Sequence, residues 1–366
     1  MENAWINSRP EALSAAFAEA AGMLEASRLP LIAGLGTDIA GARAAIGLAR
    51  RIGAAVDHMN SDALLRDLDV MREAGVMLTT PNETLVRADT LLLVGPGAAG
   101  AWHELSARLS GRTGRPDASD RTGRRIFCLC PERGGEIGHG FISLGRGAGE
   151  LPVLLAALRA RVNGRAIDRG GSSSWDVESL AGALKAARFG VAVWSAADLD
   201  PLAIEMLCGM VNDLNATTRF AGLPLAPASN AVGVLAACGW MTGFPLRTAF
   251  GRRDPEHDPW RYDATRLVDS GECDCVLWIS AYPAPPPPWR ADPPMIALAA
   301  PDAKFQTIPR IRIAVGCPGH DHDGVEHGVM TGNLVAVAAA RKSETISVAD
   351  AIARIAAHLS AGEPPC

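Results

Sequence analysis

The stretch Pro30-Leu-Ile-Ala-Gly-Leu-Gly-Thr-Asp-Ile-Ala-Gly41 decides the fold. Its apolar run ends in a glycine-rich turn, and residues 42–52 then carry apolar side chains at helical spacing. A second apolar run, residues 54–56, stops at the polar cluster 57–62. Strand, turn, helix and strand in this order make a βαβ unit, and such units build parallel sheets that are buried on both faces. The sequence therefore predicts an α/β fold.

The carboxyl ends of these strands are the expected place for a small ligand, because open α/β sheets bind ligands beyond those ends. A further apolar run, residues 90–94, is followed by two glycines and a proline. We expect residues 34–38, 57–62 and 95–100 to form one rim. The rim is the first candidate site.

A nucleotide is one possible ligand for this rim. The spacing Gly34-x-Gly36-x-x-x-x-Gly41 differs from the G-x-G-x-x-G of a dinucleotide site. Asp57, however, stands at the second strand end, where a ribose-binding carboxylate would lie. The glycine turn can therefore be interpreted either as a nucleotide site or as a tight turn that only directs a helix.

Composition excludes several classes of protein. The 366 residues are 48% hydrophobic and 20% charged, with a formal net charge of −5. The chain therefore lacks the excess of positive charge that is typical of nucleic-acid-binding proteins. No apolar run reaches the roughly 20 residues that a membrane helix needs. Residues 1–6 contain neither a basic nor an apolar signal region, so we expect a cytoplasmic protein that does not bind membranes.

The rest of the chain repeats the α/β pattern. Residues 163–175 interrupt the apolar pattern with glycines and serines, and alternating helix and strand signals resume after them. Residues 247–262 form a polar excursion that predicts a surface loop. Further strands are predicted at residues 125–130, 141–144, 190–194, 220–226, 273–279, 294–298, 311–315 and 332–337.

Cysteine and histidine spacing leaves two metal hypotheses open. Both close cysteine pairs have C-x-C spacing within strand-like runs, which favours buried reduced thiols over a zinc or cluster site. His320, His322 and His327 lie in one loop with three carboxylates and could ligate a transition metal, or form a polar surface loop. The eight cysteines are Cys128, Cys130, Cys208, Cys238, Cys273, Cys275, Cys317 and Cys366.

No nucleophile elbow, H-E-x-x-H motif or Walker A motif occurs in the sequence. The sequence therefore predicts no catalytic residue in this chain.

Several segments together resemble the B-type subunits of formylmethanofuran dehydrogenases, a family of the molybdopterin oxidoreductase superfamily. The likeness extends over residues 15–340. It implies two doubly wound, Rossmann-like α/β domains without the iron–sulfur domain. It also implies a discontinuous first domain, residues 1–149 plus 263–366, and an inserted second domain, residues 150–262. The matching segments are residues 27–34, 53–57, 87–96, 125–131, 210–215 and 270–280.

The sequence departs from that family at both of its cofactor sites. Members bind an iron–sulfur cluster through an N-terminal cysteine motif and a tungsten or molybdenum pterin through a cysteine or selenocysteine. Here the first cysteine is Cys128, and Ala63 aligns with the metal-binding thiolate. Because a methyl group cannot coordinate a metal, we expect both cofactors to be lost.

A cofactor-free chain with this pattern resembles the B-type subunits of the formyltransferase/hydrolase complexes of methylotrophic bacteria. In formaldehyde oxidation, these complexes move a formyl group from tetrahydromethanopterin to a methanofuran-type carrier and hydrolyse it to formate. The resemblance assigns hydrolysis to an amidohydrolase-like subunit and transfer to a formyltransferase subunit, together with a further C-type subunit. This chain would then be a non-catalytic scaffold. The alternative is a redox-active subunit that keeps its molybdopterin or tungstopterin.

The vacated cofactor pocket is the second candidate site. Arginines there would suit the carrier's polyglutamate arm through charge-assisted hydrogen bonds. A cleft filled by neighbouring side chains is the open alternative. The expected lining residues are Asn60, Ser61, Asp62, Ala63, Asn230, Arg252 and Arg253.

Overall fold

Two β-sheets of parallel core strands organise the chain in a computed structural model. The structure describes residues 3–98, 124–129, 141–144, 148–167, 174–251, 254–341 and 343–360. The strands are β1 Ala4–Ile6, β2 Arg9–Pro10, β3 Pro30–Gly36, β4 Ala55–Val56, β5 Thr90–Val94, β6 Arg125–Leu129, β7 Phe141–Leu144, β8 Gly190–Trp194, β9 Phe220–Pro224, β10 Thr248–Ala249, β11 Glu256–His257, β12 Cys275–Ser280, β13 Met295–Ala299, β14 Ile311–Ala314, β15 Gly324–Gly328 and β16 Asn333–Val337.

The helices alternate with these strands. They are α1 Leu13–Ala26, α2 Ile39–Ile52, α3 Ser61–Ala74, α4 Pro81–Arg87, α5 Leu151–Val162, α6 Ser174–Lys185, α7 Pro201–Leu214, α8 Ala231–Thr242, α9 Ala264–Asp269 and α10 Val348–His358, with a 3-10 turn at Ala148–Glu150. Within the described ranges, no helix combines the length and the apolar character needed to cross a bilayer.

The chain divides into two compact units. The first contains Met1–Ser61, Pro227–Gly328 and Asn333–Cys366, and the second contains Asp62–Ala226 with Val329–Gly332. The second unit is thus inserted, along the chain, into a discontinuous first one.

The predicted boundaries, 149/150 and 262/263, differ from this division. Residues 227–262 join the first unit because β10 pairs with β4 through Thr248 and Val56. Residues 62–149 join the second unit because β5 pairs with β8.

The first unit is built on a sheet with the strand order β11-β10-β4-β3-β12-β13-β14-β1-β2. Its five central strands, from β4 to β14, run parallel, and the outer pairings are antiparallel. Every residue of β3 and β12 is buried, which explains the unbroken apolar runs in the sequence. Asp38 starts α2 by accepting a hydrogen bond from Gly41 N–H at 2.9 Å, and Gly53 ends it in the left-handed conformation.

The second unit contains an all-parallel sheet with the order β7-β6-β5-β8-β9. One face of this sheet carries the larger apolar core, in which Trp194 and Phe220 are fully buried among α5, α6 and α7 side chains.

The expectation of one rim was wrong. Residues 95–100 come after β5 in the chain, and β5 belongs to the second sheet, whereas residues 34–38 and 57–62 lie at the ends of β3 and β4 of the first sheet. The predicted strands themselves are confirmed, with shifts of one or two residues at their ends. The polar excursion 247–262 is not a plain loop, because it contains the short strands β10 and β11.

Candidate functional site

The first unit has its topological switch point between β3 and β12. The chain passes from β3 to β4 on one side and later returns to β12 on the other, and ligands of open α/β sheets bind where the order reverses in this way. Ala281 N–H donates to Gly36 O at 2.7 Å, which joins the two strand ends. The candidate site therefore lies beside residues 34–38 and 280–282, between β3 and β12 instead of between β3 and β4.

The glycine turn after β3 is shaped by packing. Gly34 has φ +79°, and a Cβ there would lie 2.6 Å from the backbone oxygen of Ile279. A Cβ on Gly41 would lie 2.0 Å from Thr37 Oγ1, and Thr37 is fully buried. Both glycines are therefore required by close contacts within the protein. This favours the interpretation of a tight turn that directs α2 over that of a nucleotide-binding loop.

Asp57 is committed to an internal contact. Its carboxylate accepts a hydrogen bond from Ala264 N–H at 2.9 Å and lies 3.5 Å from Arg247 Nε, while Arg247 also pairs with Asp263. Burial raises the pKa of Asp57 to about 6, although the Arg247 guanidinium opposes the shift. The side chain fixes the polar excursion to the end of β4, so it does not have the geometry of a free ribose-binding carboxylate.

His58 is held as a neutral imidazole. Nε2 lies 3.1 Å from Ser229 O, and because a carbonyl oxygen only accepts, Nε2 must carry the proton. Nδ1 accepts a hydrogen bond from Asn60 N–H at 3.0 Å. Burial lowers the pKa of His58 to about 4. Both ring nitrogens are therefore used in the fold, and His58 is a poor candidate for a general base.

Three of the predicted lining residues, Asn60, Ser61 and Asn230, belong to the first unit. Asn60 Nδ2 donates to Ala228 O at 3.1 Å, and Ser61 Oγ accepts from His58 N–H at 3.1 Å. The first contact joins the loop after β4 to the loop before α8, and the second lies within the loop after β4.

Asn230 connects three segments of the chain next to the switch point. Its side chain donates from Nδ2 to Thr37 O at 2.8 Å and accepts at Oδ1 from His327 N–H at 2.9 Å. Its backbone is left-handed, with φ 56°. A Cβ on Gly233 would lie 2.2 Å from Asn230 Oδ1, so the first turn of α8 is also packed against the amide. Asn230 therefore acts as a clamp between β3, α8 and β15.

Tyr282 and Glu326 form a pair at the switch point that the sequence analysis missed. Tyr282 Oη donates to Glu326 Oε2 at 2.8 Å. Burial, together with the neighbouring Glu326 and Asp38 carboxylates, raises the pKa of Tyr282 above its ordinary range. The signal available in the sequence was the position of Tyr282 directly after a buried strand. Its partner is 44 residues away, so no local pattern could supply it.

Asp62 and Ala63 belong to the second unit. Asp62 is exposed in the first turn of α3, where a carboxylate interacts favourably with the helix dipole. Ala63 is 8% exposed and packs into the apolar core that contains Trp194 and Leu199. The methyl group at the position predicted to align with the family's thiolate is therefore part of a hydrocarbon core.

The second unit has its own switch point, between β5 and β8. A Cβ on Gly97 would lie 2.3 Å from Asp198 Oδ2, and a Cβ on Gly95 would lie 2.9 Å from Leu199 Cδ2. The loops after the two strands therefore approach closely, and the glycines make room for this approach.

The three histidines of the runner-up metal cluster have separate contacts. His320 Nδ1 lies 3.3 Å from Asp321 Oδ1, His322 Nδ1 lies 2.7 Å from Asp323 O, and His327 N–H donates to the Asn230 amide. Across the described ranges, no group of three or more histidine, cysteine or acidic residues has a metal-binding arrangement. The structure does not bring these histidines together as ligands.

Asp321 instead has a structural partner in Arg341. Burial opposes ionisation of Asp321, but the Cys317 N–H and the Arg341 guanidinium outweigh it and hold its pKa below the ordinary value. The loop is therefore held by an ion pair.

The described cysteines are free thiols. Cys128, Cys208, Cys238, Cys273 and Cys275 are buried, and burial raises the pKa of each. The predicted burial is confirmed at these five positions. Cys317 is half-buried, and Cys130, Cys366, Arg252 and Arg253 lie outside the described residues.

Comparisons with known proteins agree on one family. The B-type subunit of the formyltransferase/hydrolase complex Fhc of Methylorubrum extorquens is 33% identical over 361 residues, which cover 96% of each chain. A chain in the crystal structure of FhcABCD from the same organism, in complex with methylofuran, matches with a TM-score of 0.84 and 32% identity over 96% of this chain and 97% of that one.

A shorter match links the chain to a redox relative. The B-type subunit of the tungsten-containing formylmethanofuran dehydrogenase 2 of Methanocaldococcus jannaschii is 34% identical over 80 residues, which cover 22% of this chain and 18% of that protein. No protein-family model matches the sequence.

Proposed function

This chain belongs to the family of B-type subunits of formyltransferase/hydrolase complexes, and we propose that it is the non-catalytic, cofactor-free structural subunit of such a complex. The complex would transfer a formyl group from tetrahydromethanopterin to a methanofuran-type carrier and hydrolyse it to formate. Its partners would be the amidohydrolase-like, formyltransferase and C-type subunits. The M. extorquens assembly, with its bound methylofuran, supports this proposal.

The observation that carries the structural role is the environment of Ala63. A pterin-bound tungsten or molybdenum needs a soft sulfur ligand, and a methyl group offers no donor atom. Ala63 lies in the apolar core of the second unit, which also contains Trp194. The residues at this position therefore do not fit the metal of the redox family, which argues against the redox alternative.

The polar groups in the loops after β4 and before α8 also support a structural role. Asp57, His58 and Asn230 each use their side-chain atoms to join separate segments of the fold. A catalytic acid or base must be able to reach substrate and exchange a proton with it. These three side chains are instead used to fix loops, as expected for a site that has become part of the scaffold.

A cytoplasmic location remains part of the proposal. The free thiols at the five buried cysteine positions are typical of proteins from reducing compartments.

Docking of the carrier's polyglutamate arm by Arg252 and Arg253 remains a prediction, since both residues lie outside the described ranges. Two guanidinium groups would bind successive carboxylates of the arm through charge-assisted hydrogen bonds. We expect Arg252→Ala with Arg253→Ala to weaken carrier binding by the complex, whereas Arg290→Ala, at an exposed arginine elsewhere in the first unit, should not. Equal carrier affinity for wild type and both variants would end this part of the proposal.

The function itself is tested by reconstitution from the four subunits. We expect omission of this chain to prevent assembly, because its role is to hold the catalytic subunits. We expect a complex with Asn60→Ala and Asp62→Ala to keep its kcat for formyl transfer and for hydrolysis within about twofold, since neither side chain would touch a reacting atom. An assembled complex that loses either activity by orders of magnitude would contradict the non-catalytic role.

A further inference from the structure

The hairpin of β15 and β16 carries an unprotected strand edge, and we propose that an extended segment of another subunit of the complex pairs with it. This inference rests on the proposed function, since an assembly must supply the segment. The partner would add a third strand beside β16 and cover Leu334 and Ala336.

The register of the hairpin identifies the free backbone groups. Val325 is opposite Ala336, and His327 is opposite Leu334. His327 N–H donates to Asn230 Oδ1, so it points away from β16, and the pair of His327 and Leu334 is not hydrogen-bonded. Such pairs alternate along an antiparallel ladder, so Leu334 and Ala336 direct their N–H and C=O groups away from β15. In the part of the chain that the structure describes, no strand pairs with this side of β16.

Three other strand edges in the described part of the chain, those of β2, β11 and β9, are protected. The edge strand β2 consists of an arginine and a proline, and β11 has only two residues, of which one is Glu256. In the second sheet, the edge strand β9 is covered by its own chain, because Gly222 N–H donates to Met77 O at 2.7 Å and Gly222 O accepts from Thr79 N–H at 3.0 Å. Proteins use charge, proline, short strands and covering segments to prevent unwanted pairing. β16 has none of these devices among the described residues.

The side chains define the chemistry of the partner. No charged residue occurs from Gly328 to Ala340. Leu334 is 40% exposed and Val325 is 39% exposed, and with Ala336 they form one outward face that is apolar apart from the half-buried His327. Glu326 is on the opposite face and bonds to Tyr282. An uncharged edge beside an apolar face complements an uncharged strand with apolar side chains at alternate positions. A water-exposed carboxylate or ammonium group would find no counter-charge on this strand.

Hydrogen–deuterium exchange tests the pairing in the wild-type protein. We expect a peptide covering residues 333–340 to exchange at least about tenfold more slowly in the assembled complex than in the isolated chain, because the outward amides gain acceptors. Equal exchange in both states would overturn the proposal. Protection that appears in the isolated chain and rises with its concentration would also overturn it, because a second copy would then occupy the edge.

A substitution at Ala336 tests the same edge independently. Ala336→Pro removes an outward N–H without removing a bond to β15, so the hairpin is retained while strand addition is blocked. Ala336→Val is the matched control, since it keeps the N–H and favours a strand. We expect the proline variant to form complex at least about tenfold less tightly than the control. Assembly of both variants with equal affinity would refute the proposal.

The outcomes separate this inference from the proposed function. If the wild-type chain does not assemble with the other subunits, the proposed function fails. If the wild-type chain and Ala336→Pro both assemble normally, the function stands and the edge proposal fails. If Ala336→Pro does not fold, the exchange measurement on the wild-type complex decides.

Discussion

Replacement of Asn230 by alanine should destabilise the first unit strongly. The amide joins Thr37 O and His327 N–H at 2.8 and 2.9 Å, and alanine can replace neither contact. Thr37 is fully buried, so the loss would remove a hydrogen bond from a carbonyl oxygen that lies away from water. The residue at position 230 must also adopt φ 56°, which alanine does not favour.

These effects add up to a measurable cost. Each lost hydrogen bond contributes about 1 kcal/mol, with more for a group left buried and unpaired. The left-handed backbone costs alanine about 1 kcal/mol. Together they give about 3 kcal/mol, which for a unit of this size corresponds to a fall in Tm of about 6–12 °C.

Asn230→Gly separates the two causes, because glycine adopts φ 56° freely but makes neither side-chain bond. Urea unfolding should give about 1 kcal/mol more stability for Asn230→Gly than for Asn230→Ala, and both should be well below wild type. An Asn230→Ala protein as stable as wild type would refute the clamp. A loss of carrier affinity at unchanged stability would refute it equally, since the amide would then contact the carrier.

Three further substitutions test the packing and electrostatics. The pKa of Asp57 is about 6 in the folded protein against 3.8 unfolded, so the folded state binds more protons between these values and stability falls as the pH rises through them. In urea unfolding, the stability of Asp57→Asn relative to wild type should therefore increase by about 2.4 kcal/mol between pH 4 and pH 7. A difference that does not vary with pH would contradict this. Burial likewise raises the pKa of Asp67 to about 6, while Asp67 accepts from Trp194 Nε1 at 2.8 Å. At pH 7.5, Asp67→Asn should be about 1–2 kcal/mol more stable than wild type, because it keeps an acceptor for the indole N–H without a buried charge. Asp67→Ala should be about 1–3 kcal/mol less stable than wild type, because it removes the acceptor. The opposite order of stability in denaturant melts would contradict this explanation. Gly34→Ala should lower the free energy of unfolding by about 3 kcal/mol or more, because its Cβ would lie 2.6 Å from a backbone oxygen. Gly22→Ala, with open space around it in α1, should be neutral or stabilising by calorimetry. Equal effects of the two substitutions would show that the close contact at Gly34 does not determine stability.

Local sequence patterns were sufficient to predict the parallel strands of both sheets. The apolar runs at residues 30–36, 90–94 and 275–280 are buried strands because both faces of a parallel sheet are covered. An apolar run in the sequence does not indicate which sheet the strand belongs to. Residues 90–94 look like the next strand of the first βαβ unit, yet they pair with residues 125–129 and 190–194.

Long-range contacts explain what the sequence could not predict at the site. Asp57 was recognised as a strand-end carboxylate, but its partner Ala264 is 207 residues away. Asn230 was named as a lining residue, and only the structure reveals that its two bonds join the turn after β3 to β15. The alignment of Ala63 came from a resemblance, and its burial in an apolar core came from the fold. Spacing along the chain indicated the residue types; the fold determined their roles.

Analysis of tungsten, molybdenum and pterin in the purified, active complex tests the structural role most directly. Because position 63 offers a methyl group within a hydrocarbon core, we expect each of the three to be far below one per copy of this chain, at full formyl transfer and hydrolysis activity. One tungsten or molybdenum with its pterin per chain, bound in the second unit, would contradict the proposed function.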